Sequence, residues 1–234
     1  MRRVPVILTV LLACLVGLPA AASSATTATT TATTTATTAT AAPAPLGGGS
    51  VLFDPTGTAH CTAAFAAISG TTWYLVVGPG CSDATGVLYS GNLIPVGPVA
   101  AAPGDRHAIV RVDNTEDWVL VPWIDTGGDR LVIGGSEETK VGGRVCLINT
   151  TTGLECGTVV AKNQTIVFPE GVITGLTRTD ICPMPGSIAY VTDDQAQGVP
   201  LVSGGSGICT TAGTSYFQPI NRILATYGLT LLTG

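Results

Sequence analysis

The sequence predicts an all-β fold closed by one C-terminal helix. Three observations carry this. Short runs rich in Val, Ile and Thr recur along most of the chain. Small clusters drawn from 30 Gly and 15 Pro, with Asp and Asn, separate those runs without any collagen-like period. Helical spacing of apolar residues appears at one place only, near the C-terminus. Strands at such spacing, with no helices between them, build a sandwich or barrels.

The elements follow in order. Arg2 and Arg3 form a positive n-region, and Val4 to Leu18 is an apolar run too short to span a bilayer comfortably. Ala20-Ala21-Ala22 supplies a small-residue cleavage site, so residues 1–22 read as a signal peptide cut after Ala22. A competing reading takes Leu11-Leu12-Ala13-Cys14 as a lipoprotein box, with Cys14 as the anchor. Leu12 fits that box poorly, and apolar residues continue past Cys14.

Residues 23–45 are almost pure Ala and Thr, ending in Pro43-Ala44-Pro45. Such a segment buries too little surface to offset its ordering entropy and reads as a flexible tether. It is either a bare spacer or a carrier of sugars on its hydroxyls. Cys61 to Ile68, Ser69-Gly70 and Thr71 to Val77 then read as a hairpin. Further runs are His107–Val112, Val119–Ile124, Arg130–Ile133, Arg144–Ile148 and Gly157–Ala161. Thr165–Phe168, Val172–Leu176, Ile188–Val191 and Val199–Val202 complete the set. Phe217, Ile220, Ile223, Leu224 and Tyr227 repeat at helical spacing, with Pro219 near the start and Gly228 just past the end. This helix, over 217–228, should pack its apolar stripe on the last barrel.

Composition narrows the function. Of the 234 residues 45% are hydrophobic and only 11% charged, and the net charge is −5. Dropping Arg2 and Arg3 takes −5 to −7. No basic footprint exists for a phosphate backbone, so nucleic acid is not an expected partner. No apolar run beyond the signal approaches membrane length. Of seven Cys, Cys14 leaves with the signal, and the remaining even number in an exported chain implies disulfides. Six cysteines allow 15 connectivities. No C-x-x-C or H-x-x-x-H spacing points to a metal, and no cofactor is implied.

The segments GSEETKVGGRVC (135–146), TTGLECGTVVAKNQT (151–165) and EGVITGLTRTDIC (170–182) carry a resemblance. SGGSGIC (203–209), YFQP (216–219), YGLTLLTG (227–234) and Leu46-Gly47-Gly48-Gly49 agree with it. Over 46–234 the chain resembles the bacterial branch of the chymotrypsin-like serine peptidases, typified by α-lytic protease and the streptogrisins. The resemblance implies a trypsin-like fold of two antiparallel six-stranded β-barrels, roughly 46–115 and 116–216, meeting at a cleft. It also implies the pairs Cys61 with Cys81, Cys146 with Cys156, and Cys182 with Cys209.

Acyl transfer on that fold needs a serine nucleophile, a histidine base, an aspartate that orients the histidine, and two backbone N–H groups for the oxyanion. The family's T-A-G-H-C reads here as Val77-Gly78-Pro79-Gly80-Cys81, so Gly80 stands at the histidine position, and Cys81 fixes the register. Its P-G-N-D-x-A reads as Pro103-Gly104-Asp105-Arg106-His107-Ala108. Without a gap Arg106 takes the aspartate's place; a one-residue shift restores Asp105. Its G-D-S-G-G reads as Pro185-Gly186-Ser187-Ile188-Ala189. Ser187 or Ile188 stands at the serine position, depending on one deletion. In either register a β-branched side chain enters a turn that favours glycine. Ser203-Gly204-Gly205 matches the edge on which family substrates lie as an added strand, a contact that needs no triad.

The sequence therefore points to an exported peptidase homologue without hydrolysis, with an extended peptide or protein as its ligand. One alternative is an active serine endopeptidase, or one of residual activity, with a shifted triad of His60 or His107, Asp105 and Ser187. His60 adjoins Cys61, so pairing with Cys81 brings it near the vacated site. His107 reads more simply as a half-exposed strand residue. Another alternative is a tethered surface scaffold with the Ala/Thr segment as its stalk. Nothing in the sequence fixes an oligomeric state.

Overall fold

The computed structural model describes residues 41–57, 59–101, 106–169, 171–201 and 213–234. Strand β1 (Ala44–Gly48) leads into a first group: β2 (Val51–Phe53), β3 (His60–Ser69), β4 (Thr72–Val77), β5 (Val87–Ser90), β6 (Ile94–Ala101) and β7 (Ala108–Val112). A 3-10 turn, Pro79–Cys81, sits between β4 and β5. Strands β8 (Trp118–Asp125) and β9 (Arg130–Val132) lead to a second group. That group is β10 (Arg144–Asn149), β11 (Gly153–Phe168), β12 (Gly171–Thr179), β13 (Ser187–Thr192), β14 (Gln195–Pro200) and β15 (Ser215–Pro219). Helix α1 (Ile220–Tyr227) and β16 (Thr230–Leu231) follow.

The second group closes as a barrel in the order β10-β11-β12-β15-β14-β13. The first runs β3-β2-β5-β6-β7-β4, and β4 pairs back onto β3 to complete a ring, with β16 added beside β3. The strand pairs within both rings are antiparallel, and the expected pair of six-stranded barrels is observed. Strand β1 lies outside the rings, parallel to β8.

Local chemistry explains where strand ends differ from expectation. The β3–β4 loop is Gly70-Thr71, one residue later than expected, because Ser69 pairs with Thr72. Gly70 has φ +59, and a positive φ at the first loop residue alone is the II′ pattern that matches strand twist. The two expected strands at 157–161 and 165–168 are one strand, β11. Asn163 at φ +54 lies within a register shift there, so a bulge, not a turn, separates the two runs. The helix is shorter than 217–228: Ser215–Pro219 extends as β15, and Pro219, lacking an N–H, closes that strand and opens the helix.

Burial joins the two rings. Leu52, Leu75, Val77, Val96 and Val110 fill the first, while Val145, Leu147, Val159, Tyr190 and Phe217 fill the second. A third cluster runs between them, from Ala64, Phe65 and Val76 to Ile148, Ile188 and Val199. The helix places Ile220, Ile223 and Leu224 in this shared cluster, so it ties both barrels and not the last one alone.

Disulfides Cys61–Cys81 and Cys146–Cys156 are formed, at S–S distances of 2.04 and 2.15 Å. Cys182 is disulfide-bonded as well. Its expected partner, Cys209, lies outside the described residues. No helix among the described residues is long and apolar enough to cross a membrane.

Candidate functional site

A cleft of about 340 Å³ opens where the start of β3 and the Pro79–Cys81 turn of the first barrel face the start of β13 in the second. Among its lining residues are His60, Cys61, Gly80, Gly186, Ser187, Ile188 and Pro200. The structure thus brings together Gly80, His60 and Ser187.

Gly80 offers no side chain, and the backbone has closed over the place where one would stand. A Cβ built on Gly80 would overlap the carbonyl oxygen of His60, with the carbonyl carbon at 3.1 Å and the Cα of Cys61 at 3.5 Å. The disulfide beside it holds the two segments together, with Cα atoms of Cys61 and Cys81 5.4 Å apart.

The serine side is rebuilt as a turn. Met184-Pro185-Gly186-Ser187 has Pro at its second position and Gly, at φ +88, at its third, which is the type II arrangement. The Ser187 N–H donates to the Met184 carbonyl at 3.1 Å and closes the turn. The Met184 N–H donates to the Ser187 hydroxyl at 3.1 Å. Thr150 N–H donates to the Gly186 carbonyl at 3.0 Å. Asn149, 2% exposed, donates from Nδ2 to the Pro185 carbonyl at 2.8 Å and weakly to the Ser187 hydroxyl at 3.5 Å.

If Ser187 stands at the serine position, this turn leaves neither backbone N–H free for an oxyanion. In acyl transfer on this fold the two donors are the N–H of the serine and that of the residue two before it. Here the Ser187 N–H is spent within the turn, and Pro185 has no N–H at all. Taking Ile188 as the serine instead offers no nucleophile. Its side chain is 3% exposed and belongs to the cluster between the barrels.

The remaining candidates fall away from the cleft or outside view. Arg106 adopts φ +60 and lays its guanidinium over the Phe168 ring, 4.2 Å from the centroid. It bridges toward the β11–β12 hairpin and supplies no carboxylate. Asp105 and Ser203, Gly204 and Gly205 lie outside the described residues. His107 is not half-exposed as expected. It is 2% exposed and meets the Tyr227 ring edge-on at 6.0 Å, because the helix folds back over the start of β7. It does not line the cleft.

His60 does line it, exposed and stacked on Phe53 with centroids 6.4 Å apart. Among the described residues no hydrogen bond joins His60 to Ser187. In the core of the second barrel Tyr190 is fully buried against Phe217, with rings 4.6 Å apart. Burial pushes its phenol up to about 12, while hydrogen bonding to Ser215 and Thr179 acts the other way. The Tyr190 and Ser215 hydroxyl oxygens are 2.6 Å apart.

Sequence reasoning missed Pro185, Asn149 and Thr150. The Pro-Gly pair was a readable turn signal. The roles of Asn149 and Thr150 depend on the β10–β13 pairing, in which Asn149 faces Ser187, and local sequence does not show it.

The chain is similar in sequence and fold to proteins named as serine peptidases. No family model matches the chain. Streptogrisin-C of Streptomyces griseus is 35% identical over 181 residues, covering 76% of this chain and 39% of its own length. The chain spans between about three-tenths and two-fifths of the first curated relatives it matches. Thermobifida fusca protease A has 34% identity and a TM-score of 0.67, with 82% of this chain and all of that one covered. An α-lytic protease homologue, N4, has 37% identity and a TM-score of 0.70, with 80% and 99% covered. On fold and sequence, the chain belongs to the chymotrypsin-like serine peptidases, in the branch of α-lytic protease and the streptogrisins.

Proposed function

We propose that this chain is an exported, catalytically inactive peptidase homologue that binds extended peptides without cleaving them. The observation that carries this is Gly80, closed over by the His60 carbonyl. A hydroxyl with no base to take its proton is a weak nucleophile at neutral pH. The spent Ser187 N–H and the proline at 185 add a second, independent loss. Electrostatic stabilisation of the oxyanion is usually the largest single contribution to such catalysis, at about 3–4 kcal/mol per donor. The disulfides support an oxidising compartment, in keeping with the apolar run behind Arg2 and Arg3. Peptide binding by strand addition uses backbone groups, so loss of the triad does not abolish it.

The test pairs hydrolysis with binding. Casein and peptide anilides should remain intact at micromolar protein over days, while a labelled extended peptide shows saturable binding. Turnover above a buffer control would reject inactivity.

One observation favours a second reading. His60 and Ser187 share the cleft, and hydrogen bonds at such sites can tighten only when substrate arrives. On that reading His60 is a relocated base, and hydrolysis disappears in His60→Ala.

A further inference from the structure

The two disulfides whose cysteines are both described differ in what they show to solvent. Cys61 and Cys81 are buried, whereas Cys146–Cys156 joins a buried residue to an exposed one. Among the described cysteines Cys156 alone is exposed, and Cys182 is half-buried. Cys146 and Cys156 stand directly opposite each other on β10 and β11. Val145 and Leu147 fill the second barrel, so Cys146 between them and Cys156 across from it face outward. The cluster between the barrels covers Cys146 and leaves Cys156 open. Arg144 touches the open sulfur, donating from Nη2 to the Cys156 Sγ at 3.0 Å. Its Nη1 lies 3.9 Å from a carboxylate oxygen of Asp193. Glu155, next to Cys156 in β11, faces the other side of the sheet. Glu137, Glu138, Lys140 and Asp194 line an adjoining concavity with Arg144 and Asp193, and Cys156 is not part of its wall.

We propose that Cys156 is a site of reversible S-thiolation by low-molecular-weight thiols, with Arg144 as its positioning residue. The step is a thiol–disulfide exchange. A thiolate, RS⁻, attacks the exposed Cys156 Sγ in line with the S–S bond. The Cys146 sulfur leaves as a thiolate and takes up a proton, and Cys156 carries the mixed disulfide with R. A second RS⁻ attacks the R sulfur, releases RSSR and leaves Cys156 as a thiolate. Two small thiols are thereby oxidised to one disulfide, and one protein disulfide is reduced. Oxidation by RSSR runs the same steps backwards. Arg144 favours both stages, because its positive charge offsets the incoming anion and then the thiolate left on Cys156. The sheet makes the bond dispensable to the fold. Val145 pairs with Gly157 and Leu147 with Glu155 on either side of it, and β13 holds the other edge of β10. Opening the disulfide frees a thiol without parting the strands.

The test keeps the protein folded. It is incubated with millimolar reduced glutathione without denaturant, quenched in acid, alkylated after unfolding, and mapped by peptide mass spectrometry. Cys146 and Cys156 should open at least about tenfold faster than Cys61 and Cys81, with glutathione found on Cys156. The Arg144 and Asp193 side chains are 64% and 83% exposed, so their replacement leaves the fold intact. Arg144→Gln should slow opening about fivefold, and Arg144→Lys should restore most of the rate. Asp193→Asn removes the competing charge and suits the left-handed backbone at φ +52. It should speed opening about twofold, a gain that a merely structural role for Arg144 would not produce. First opening at any other described cysteine, or no opening without denaturant, would overturn the inference. Equal rates in wild type, Arg144→Gln and Asp193→Asn would overturn the role of Arg144. Loss of the β-sheet circular dichroism spectrum on opening would overturn the claim that the strand pairs hold without the bond.

Discussion

Restoring the histidine should not restore a peptidase. In Gly80→His the new Cβ must displace the His60 carbonyl, whose carbon would lie only 3.1 Å away and whose oxygen lies closer still. Unstrained carbon–carbon contacts lie near 3.5–4.0 Å. Because the oxygen is the closer atom, the start of β3 must therefore retreat by roughly 1 Å or more. The Cys61–Cys81 disulfide, joining the two segments that must part, resists this. Overpacking of this kind costs about 1–3 kcal/mol. Because the atoms in conflict are backbone, the upper half of that range applies. For a domain of this size each kcal/mol lowers Tm by about 2–4 °C, so a fall of roughly 4–12 °C is expected. Differential scanning calorimetry measures it, and a chromogenic peptide anilide reports activity on the same sample. A variant with wild-type Tm would refute the closed backbone. A variant that cleaves the anilide would refute the claim that the oxyanion site is lost as well.

Three other outcomes follow from the same geometry. Gly186→Ala forces a side chain to φ +88, with Thr150 Oγ1 3.1 Å from the new carbon. A loss of about 1–2 kcal/mol in urea unfolding is expected. Tyr190 ionises near 12 when folded against an ordinary 10, so its stabilisation is complete below pH 10 and is lost as pH rises from 10 to 12. The gap of about two units corresponds to roughly 3 kcal/mol at most. The difference in unfolding free energy between wild type and Tyr190→Phe should therefore shrink across that window; a constant difference contradicts the burial argument. Replacing Cys61 and Cys81 together by Ala releases a loop of 20 residues and should lower stability by about 3 kcal/mol, read by calorimetry.

The fold was legible because short runs rich in Val, Ile and Thr between Gly clusters leave little choice of class. What local pattern missed has particular causes. Pro95 and Pro98 disguise β6, whose bulge beside Tyr89 accommodates the first of them. Asn163 splits β11 into two apparent runs, although the chain stays extended through the bulge. At the site, Gly80 was legible because the adjacent cysteine fixes its place. The closing of the His60 carbonyl over it was not, since that approach comes from strand β3, twenty residues earlier in sequence. His107 read as half-exposed because its cover, Tyr227, arrives from the distant C-terminal helix. Ser187 stood at the serine position in one of two registers; that its hydroxyl accepts from the Met184 N–H across the Met-Pro-Gly-Ser turn was not legible.

The central claim is that no side chain in the cleft activates Ser187. Intact-protein mass spectrometry after exposure to a serine-directed fluorophosphonate tests it most directly, with an active streptogrisin as positive control. The predicted spectrum of this protein is unchanged while the control gains one adduct. A single adduct on this protein, absent from Ser187→Ala, would contradict the account.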